Sequence, residues 1–252
     1  MSKRLVVVSD IHPCSKFGPV PPDWKMTDGS PAHSTETTNE IYEFYLKCVE
    51  NFGKPDILVC NGDLVDGIQH LNAGREIWSS EAHEQIALAT HLLKMWRPKE
   101  TYVTYGTRYH VESGGVMVER IIAQKLGAKL VGWQIPLKVE GCRCRFSHEI
   151  SVSTSSWQYR TTSLSRELVL DRLQYGDESS NLLVFSHAHY FAYAGYSQQL
   201  GIINPGFQGQ TPYGARKTPS ITPKMGVVSI DLPTLDFDYL TTDGPRLQAE
   251  VP

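Results

Sequence analysis

The sequence predicts a mixed α/β (α+β) fold, with strands and helices alternating in the first half and strands dominating the second. Three observations carry this. Four short apolar runs, Leu5 to Val8, Ile57 to Cys60, Tyr102 to Tyr105 and Leu182 to Phe185, have the length and flanks of buried parallel strands. Between the first three lie stretches with apolar residues at helical spacing. From Lys129 onward, strand-like segments follow one another with few helices between them. That order implies a mixed sheet with a second sheet packed against it.

Taken in order, strand one ends at Val8 and opens into Pro13 to Thr38, a segment rich in Pro, Gly, Ser and Thr. A loop of this length is expected to be functional or irregular, and it reads either as a wall or lid over a site or as a surface excursion. A helix follows with Thr37 or Thr38 as its cap. Ile41, Tyr45, Cys48 and Phe52 repeat at helical spacing, and Gly53 and Pro55 end it. After strand two, a longer helix is predicted from Glu76 to Trp96, with Trp78, Ala82, Ile86, Ala89, Leu93 and Trp96 on one face, closed by Arg97-Pro98. Strand three covers Thr101 to Tyr105, and a helix from about Gly115 to Leu126 carries Val116, Ile121 and Ile122.

The remaining strands are read at Leu130-Val131, Leu137-Val139, Arg143-Phe146, Leu182-Phe185, Ala192-Tyr196, Leu200-Ile203, Val227-Ile230 and Phe237-Leu240. One helix near Ser165 to Tyr175 interrupts them, and Gly206 to Pro223 reads as a second long loop. With no internal repeat and no linker, residues 1–252 are expected to form a single domain.

Composition narrows the function classes. The chain is 40% hydrophobic and 20% charged, with a net charge of −3. This balance argues against an extended basic groove for duplex nucleic acid and favours a small substrate or a nucleic-acid end. No apolar run is long enough to cross a bilayer, so no membrane partner is expected. The run after Met-Ser-Lys-Arg reaches Ser9 and Asp10 too soon for a signal peptide. Five cysteines, Cys14, Cys48, Cys60, Cys142 and Cys144, are an odd number without framework spacing. Cys142-Arg-Cys144 has no second pair and reads as strand neighbours. Reduced thiols and a cytoplasmic location are expected.

The chemistry sits where strands end. Asp10-Ile-His12, Gly62-Asp63-Leu-Val-Asp66, Gly106-Thr107-Arg-Tyr-His110 and Ser186-His187-Ala-His189 each follow one of the four apolar runs, at the sheet edge that most often carries ligands. Side chains two apart in a strand share a side, so Asp10 with His12, and His187 with His189, are each expected to converge. Asp63, after a glycine that permits a tight turn, is placed to bridge two ions, and His148 supplies another nitrogen. Asp and His together make a transition-metal donor set. Two ions about 3.5–4 Å apart clamp a phosphoryl group and generate hydroxide from water at neutral pH. The residues therefore read as a two-metal hydrolytic centre.

These motifs, in this order, resemble those of the calcineurin-like metallophosphoesterase family: Asp-x-His, Gly-Asp-x-x-Asp, Gly-Asn-His, a lone His, then Gly-His-x-His. Asn204-Pro205-Gly206 is similar to the Asn-Pro-Gly that commonly follows. The resemblance implies a four-layer αββα sandwich of two mixed sheets flanked by helices. It implies that Asp10, His12 and His189 hold one metal and that His148 and His187 hold a second, with Asp63 bridging. One motif departs: Thr107 stands where the family has the Asn that binds the second metal, and the histidine comes later, as His110. His110 then either fills that ligand position with or without Thr107, or acts as the general acid. Arg108 and Tyr109 share the loop and are candidates for phosphate oxygens. The variant motif resembles that of small bacterial and phage-borne members, which would place the protein in a host cytoplasm.

The expected activity is hydrolysis of phosphodiesters by two divalent transition-metal ions, Mn²⁺ first and Fe, Zn²⁺ or Ni²⁺ next, with Asp63 and His110 catalytic. A nucleotide or nucleic-acid substrate is an open alternative, as are a protein phosphatase and a protein-binding scaffold without catalysis. A degenerate scaffold would be expected to lose several ligands, whereas only the Asn is missing. Asp66 is read as a turn or helix-capping carboxylate. His33, His83, His91, Arg160 and Arg166 are assigned to the surface or to packing, and among such residues only His70 is placed to reach the pocket. The sequence sets no oligomeric state.

Overall fold

β1 (Lys3–Val8) runs through the middle of the molecule, and its side chains explain the layering. Leu5 and Val7 face one apolar cluster and Val6 and Val8 another, all fully buried. Alternation of side chains along a strand requires packing on both faces. The computed structural model describes residues 2–69, 73–113, 116–152, 159–196, 198–217 and 222–247. The first half contains α1 (Glu36–Phe52), β2 (Ile57–Asn61), α2 (Ala82–Lys94), β3 (Glu100–Thr104), α3 (Arg108–Val111), β4 (Glu112–Ser113), β5 (Val116–Met117), α4 (Val118–Leu126) and β6 (Leu130–Gly132). The second contains β7 (Gln134–Val139), β8 (Cys142–Ser147), α5 (Thr162–Tyr175), β9 (Leu182–Phe185), β10 (Ala192–Tyr196), β11 (Gln199–Ile203), α6 (Pro212–Lys217), β12 (Lys224–Leu232) and β13 (Asp236–Asp243).

Two mixed sheets result, a six-stranded one in the order β13-β12-β1-β2-β3-β6 and a five-stranded one in the order β10-β11-β9-β8-β7. β1, β2, β3 and β6 are parallel, and β12 and β13 close their edge antiparallel. In the second sheet β8, β9 and β11 are parallel. Leu5, Val7, Ile57 and Val59 meet Cys144, Phe146, Leu182 and Val184 between the sheets. Val6, Val8, Leu58 and Cys60 meet Tyr45, Leu88, Leu92 and Ile122 of the helices outside. α5 covers part of the second sheet through Leu164 and Leu168. The architecture is the αββα sandwich implied by the motifs.

Several boundaries differ from the sequence reading. The cap of α1 is Thr35, whose hydroxyl accepts from the Thr38 amide while the Thr38 hydroxyl accepts from the Thr35 amide. This reciprocal box fixes the first turn earlier than Thr37. α2 starts at Ala82 rather than Glu76, because residues 74–77 form a turn and Glu76 accepts from the Tyr213 amide instead. Trp78 therefore precedes the helix. Val116 belongs to β5, and the helix predicted from Gly115 begins at Val118. β9 covers its apolar run as expected and lies in the second sheet. The predicted 206–223 loop contains α6, and its residues 218–221 lie outside the described set.

Residues 13–21 form a packed wall, whereas residues 22–34 are largely exposed and run over the surface. Cys14, Ser15 and Val20 are buried, the Lys16 amide donates to the Glu76 carbonyl, and the Gly209 amide donates to the Phe17 carbonyl. Cys142 and Cys144 point into the core between the sheets with their sulfurs 3.7 Å apart, as strand neighbours should, and all five cysteines are free and buried. Among the described residues no helix is long and apolar enough to cross a membrane.

Candidate metal centre

Asp10 and His12 follow β1, Asp63 follows β2, Gly106 to His110 follow β3, His148 follows β8, and His187 and His189 follow β9. Parallel strands put all these ends on one edge, the first sheet contributing half and the second the rest. The local backbone differs from strand-like alternation. Asp10, His12, Asp63, His187 and His189 have φ of 49, 37, 48, 68 and 49°. This left-handed region is rare for non-glycine residues and costs roughly 1–3 kcal/mol each.

Long-range hydrogen bonds hold the strained loops. The Asp10 amide donates to the Gly62 carbonyl at 3.0 Å, the Phe207 amide to the Asp10 carbonyl at 2.9 Å, and the Lys224 amide to the His189 carbonyl at 2.8 Å. At Gly62, φ is 80° and a methyl group would overlap the His148 ring; at Gly106 one would overlap Asp63. Both close approaches require glycine.

The side chains form two facing triads. Asp10, His12 and His189 each offer an atom within 4.8 Å of the others, as do Asp63, His148 and His187. His189 Nε2 lies 3.5 Å and His148 Nε2 3.9 Å from Asp10 Oδ1. Asp63 Oδ2 lies 3.1 Å from His148 Nε2 and 3.9 Å from His12 Nε2, so it stands between the triads. Asp10 Oδ1, His12 Nε2 and His148 Nε2 are buried and have no hydrogen-bond partner. Isolated, each such group costs about 1–3 kcal/mol. Gathered and facing one another, these lone pairs fit divalent cations, and mixed N/O donors suit transition metals. His148 is oriented for this by donating from Nδ1 to the Asn61 carbonyl at 2.8 Å.

The electrostatics are those of concentrated negative charge. Burial opposes it, but His148, His110 and His12 hold the Asp63 carboxyl well below the usual carboxylate range. Burial lowers His148, yet Asp63 and Asp10 carry it up to about 10. Burial brings His189 down to about 4 and also lowers His187.

Thr107 is on Asp63. Its amide donates to Asp63 Oδ1 at 2.7 Å and its hydroxyl at 3.0 Å. The residue thus orients a carboxylate where the family's Asn would face a metal. The next residues wind into α3, which carries His110 over Asp66. His110 Nδ1 lies 2.9 Å from the Asp66 carbonyl and 3.2 Å from its Oδ1. His110 groups with His12 and Asp66, not with the Asp63 triad. Burial would lower it, but Asp63 and Asp66 raise it to about 9. Arg108 is exposed, and the Tyr109 ring meets His110 edge-on at 4.9 Å.

Asp66 is neither a turn residue nor a cap. It is fully buried, its Oδ1 is 3.2 Å from both His12 Nδ1 and His110 Nδ1, and no helix begins there. Gln85 fixes it by accepting from the Asp66 and Gly67 amides, both at 2.9 Å. Asn61 bolts the sheets together, donating to Ser186 Oγ at 2.7 Å and to the Ser147 carbonyl at 3.0 Å. Sequence reasoning passed over Asn61, although a polar residue closing the apolar run before Gly62-Asp63 was a usable signal. His33, His83 and His91 are exposed, Arg166 is exposed, and Arg160 stacks on Tyr190. His70 lies outside the described residues.

Glu119 had no signal in the sequence. Fully buried, it accepts from the Leu64 amide at 2.8 Å and the Gly106 amide at 2.7 Å, tying the loop after β2 to the loop after β3. Glu119→Ala strands two buried amides, which cost about 1–3 kcal/mol each, and a urea titration checks the loss. Burial lifts the Glu119 carboxyl from 4.5 to about 8, with Asp63 adding to the rise. A folded-state pKa above the unfolded one means that ionisation costs stability as pH climbs between those values. Glu119→Gln, which cannot ionise, is therefore expected to gain on the metal-free wild type from pH 5 to pH 8.

The calcineurin-like phosphoesterase family matches residues 3–106, which carry the first two motif loops and stop at Gly106, where the third begins. With the two-sheet sandwich, this match supports a calcineurin-like metallophosphoesterase superfamily fold. A comparison with curated proteins finds no match. Among solved structures, an archaeal phosphodiesterase is similar at 9% identity, covering 95% of this chain and 99% of that one, with a TM-score of 0.48. Yfce, a phosphoesterase from E. coli, is similar at 15% identity, 96% and 100% coverage and a TM-score of 0.44. Vps29 from Entamoeba histolytica, complexed with Zn²⁺, is similar at 11% identity, 96% and 99% coverage and a TM-score of 0.44.

Proposed function

We propose that the protein is a metal-dependent phosphoesterase acting on phosphodiesters, the chain working as one catalytic unit. Asp10, His12 and His189 would hold one divalent ion and Asp63, His148 and His187 a second, with Asp63 close enough to His12 to serve both. The observation that carries this reading is the pair of facing triads, in which Asp10 Oδ1, His12 Nε2 and His148 Nε2 are buried without a hydrogen-bond partner. The donor set suits Mn²⁺, Fe, Zn²⁺ or Ni²⁺, and we favour Mn²⁺. When bound, such ions supply Lewis acidity and a water acidic enough to serve as nucleophile near neutral pH.

The chain's own residues do the rest. Thr107 orients Asp63. Asp66 holds His110 through Nδ1, leaving Nε2 to donate a proton to the departing oxygen. That arrangement favours the general-acid role for His110 over a ligand role. Arg108 and Tyr109, on the same helical turn, are assigned to phosphate oxygens. The free, buried cysteines support a reducing cytoplasm.

The test compares a chromogenic diester and monoester with each added ion, alongside metal counting by mass spectrometry. About two ions per chain and faster diester hydrolysis are expected, with Asp63→Asn and His187→Ala at least about 100-fold slower. Undiminished rates in both variants would reject the site. No hydrolysis with any of the four metals would favour the protein-binding scaffold.

A further inference from the structure

α5 packs over β10 and β11. Beside it, a cleft of about 860 Å³ runs along β8 and β9 and ends at His187, a member of the Asp63 triad. The cleft thus begins at the proposed metal centre. Its volume suits a drug-sized organic group and exceeds what a bare phosphate needs.

The lining states what kind of group. Leu183 and Phe185 are flanked by Leu170 and Leu173 of α5, while Ser147 and Gln174 offer hydrogen bonds. Among the described lining residues the only Lys or Arg is Arg145. Its guanidinium is already engaged: it binds the buried Asp171 carboxylate, reaches Ser180 Oγ at 3.2 Å and sits 4.4 Å over the Tyr175 ring. Glu149 and Glu167 also line the cleft, Glu167 pairing with the exposed Arg166 at 3.2 Å. A nucleic-acid strand needs Lys or Arg along its track to neutralise successive phosphates. Among the described residues this cleft offers only the already paired Arg145 and would set a second phosphate against carboxylates.

Resting on the phosphodiesterase reading, we propose that the cleft receives the organic part of the substrate and that this part is uncharged, such as a nucleoside without further phosphate. The substrate is then a small phosphodiester and not a nucleic-acid strand.

Two diesters that differ by one phosphate test this: the p-nitrophenyl ester of thymidine 5′-monophosphate, and the same ester carrying a 3′-phosphate. Methyl p-nitrophenyl phosphate, whose methyl group is too small to occupy the cleft, is the reference. With Mn²⁺ the wild type is expected to prefer the singly phosphorylated ester by about 10-fold or more in kcat/KM, and Leu173→Arg is expected to narrow that gap. Leu170→Trp, which fills the cleft, is expected to lower the thymidine-to-methyl ratio of kcat/KM about 10-fold. Calorimetry with thymidine 5′-monophosphate and thymidine 3′,5′-bisphosphate gives a readout independent of turnover, the monophosphate binding tighter. A bisphosphate that reacts or binds as well as the monophosphate, or a ratio unmoved by Leu170→Trp, overturns the proposal. Failure to hydrolyse even the methyl ester with any ion strikes instead at the phosphodiesterase reading, and the binding comparison then decides the cleft alone.

Discussion

Asp66→Asn is expected to lower phosphodiester hydrolysis by about three orders of magnitude or more, although Asp66 belongs to neither metal triad. One carboxylate oxygen serves two imidazoles: His12 and His110 both present Nδ1 to Asp66 Oδ1 at 3.2 Å. For His12, the contact fixes the ring so that Nε2 faces Asp63, and outer partners of this kind are worth about 10–100-fold in affinity or activity. For His110, it holds the proton donor in place, a role worth about 10²–10⁴-fold. Removing the charge weakens both at once. Rates with an alkyl diester, whose leaving alkoxide needs the proton, at saturating Mn²⁺ and alongside metal counting, read the two effects separately. Because one oxygen carries both, adding Asp66→Asn to a His110→Ala protein should cost less than Asp66→Asn alone. Activity within about threefold of wild type, with full metal content, would sink this account.

That such a residue was read as a turn carboxylate marks the limit of what the sequence discloses. Strands β1, β2, β3 and β9 were legible because each is built on a short, largely apolar stretch, and stretches buried on both faces show few polar positions. The candidate ligands were legible for a local reason, since each motif directly follows a strand. Partnerships between distant residues were not. Asn61 meets Ser186 across 125 positions and Glu119 meets Leu64 across 55, and neither spacing leaves a pattern. The start of α2 was missed for the same cause: Glu76 has good helical character but is drawn to the Tyr213 amide, 137 positions away. The left-handed backbone at Asp10 and His12 was equally invisible. It goes with backbone bonds from Asp10 to Gly62 and Phe207 and from His12 to Asp63, not with any preference of Asp or His. Local chemistry was thus readable, while the tertiary contacts that aim it were not.

His110→Ala is expected to discriminate between leaving groups, and by a large factor. A p-nitrophenolate departs without a proton, so its diester should lose less than about 10-fold; an alkoxide needs protonation, and an alkyl diester should lose about 10²–10⁴-fold. The geometry motivates this split: Nδ1 is engaged by Asp66, the ring stands 4.7 Å from His12, and the residue sits outside the Asp63 triad. The rival role makes the opposite forecast. If His110 instead completed the second metal site in place of the absent Asn, its loss would strip an ion and slow both substrates alike. Parallel rates on the two diesters, with metal counted in the same samples, separate the cases. Equal slowing with one ion lost would assign His110 to the metal, and Thr107, held on Asp63 by its amide and hydroxyl, would remain the orienting residue under either outcome.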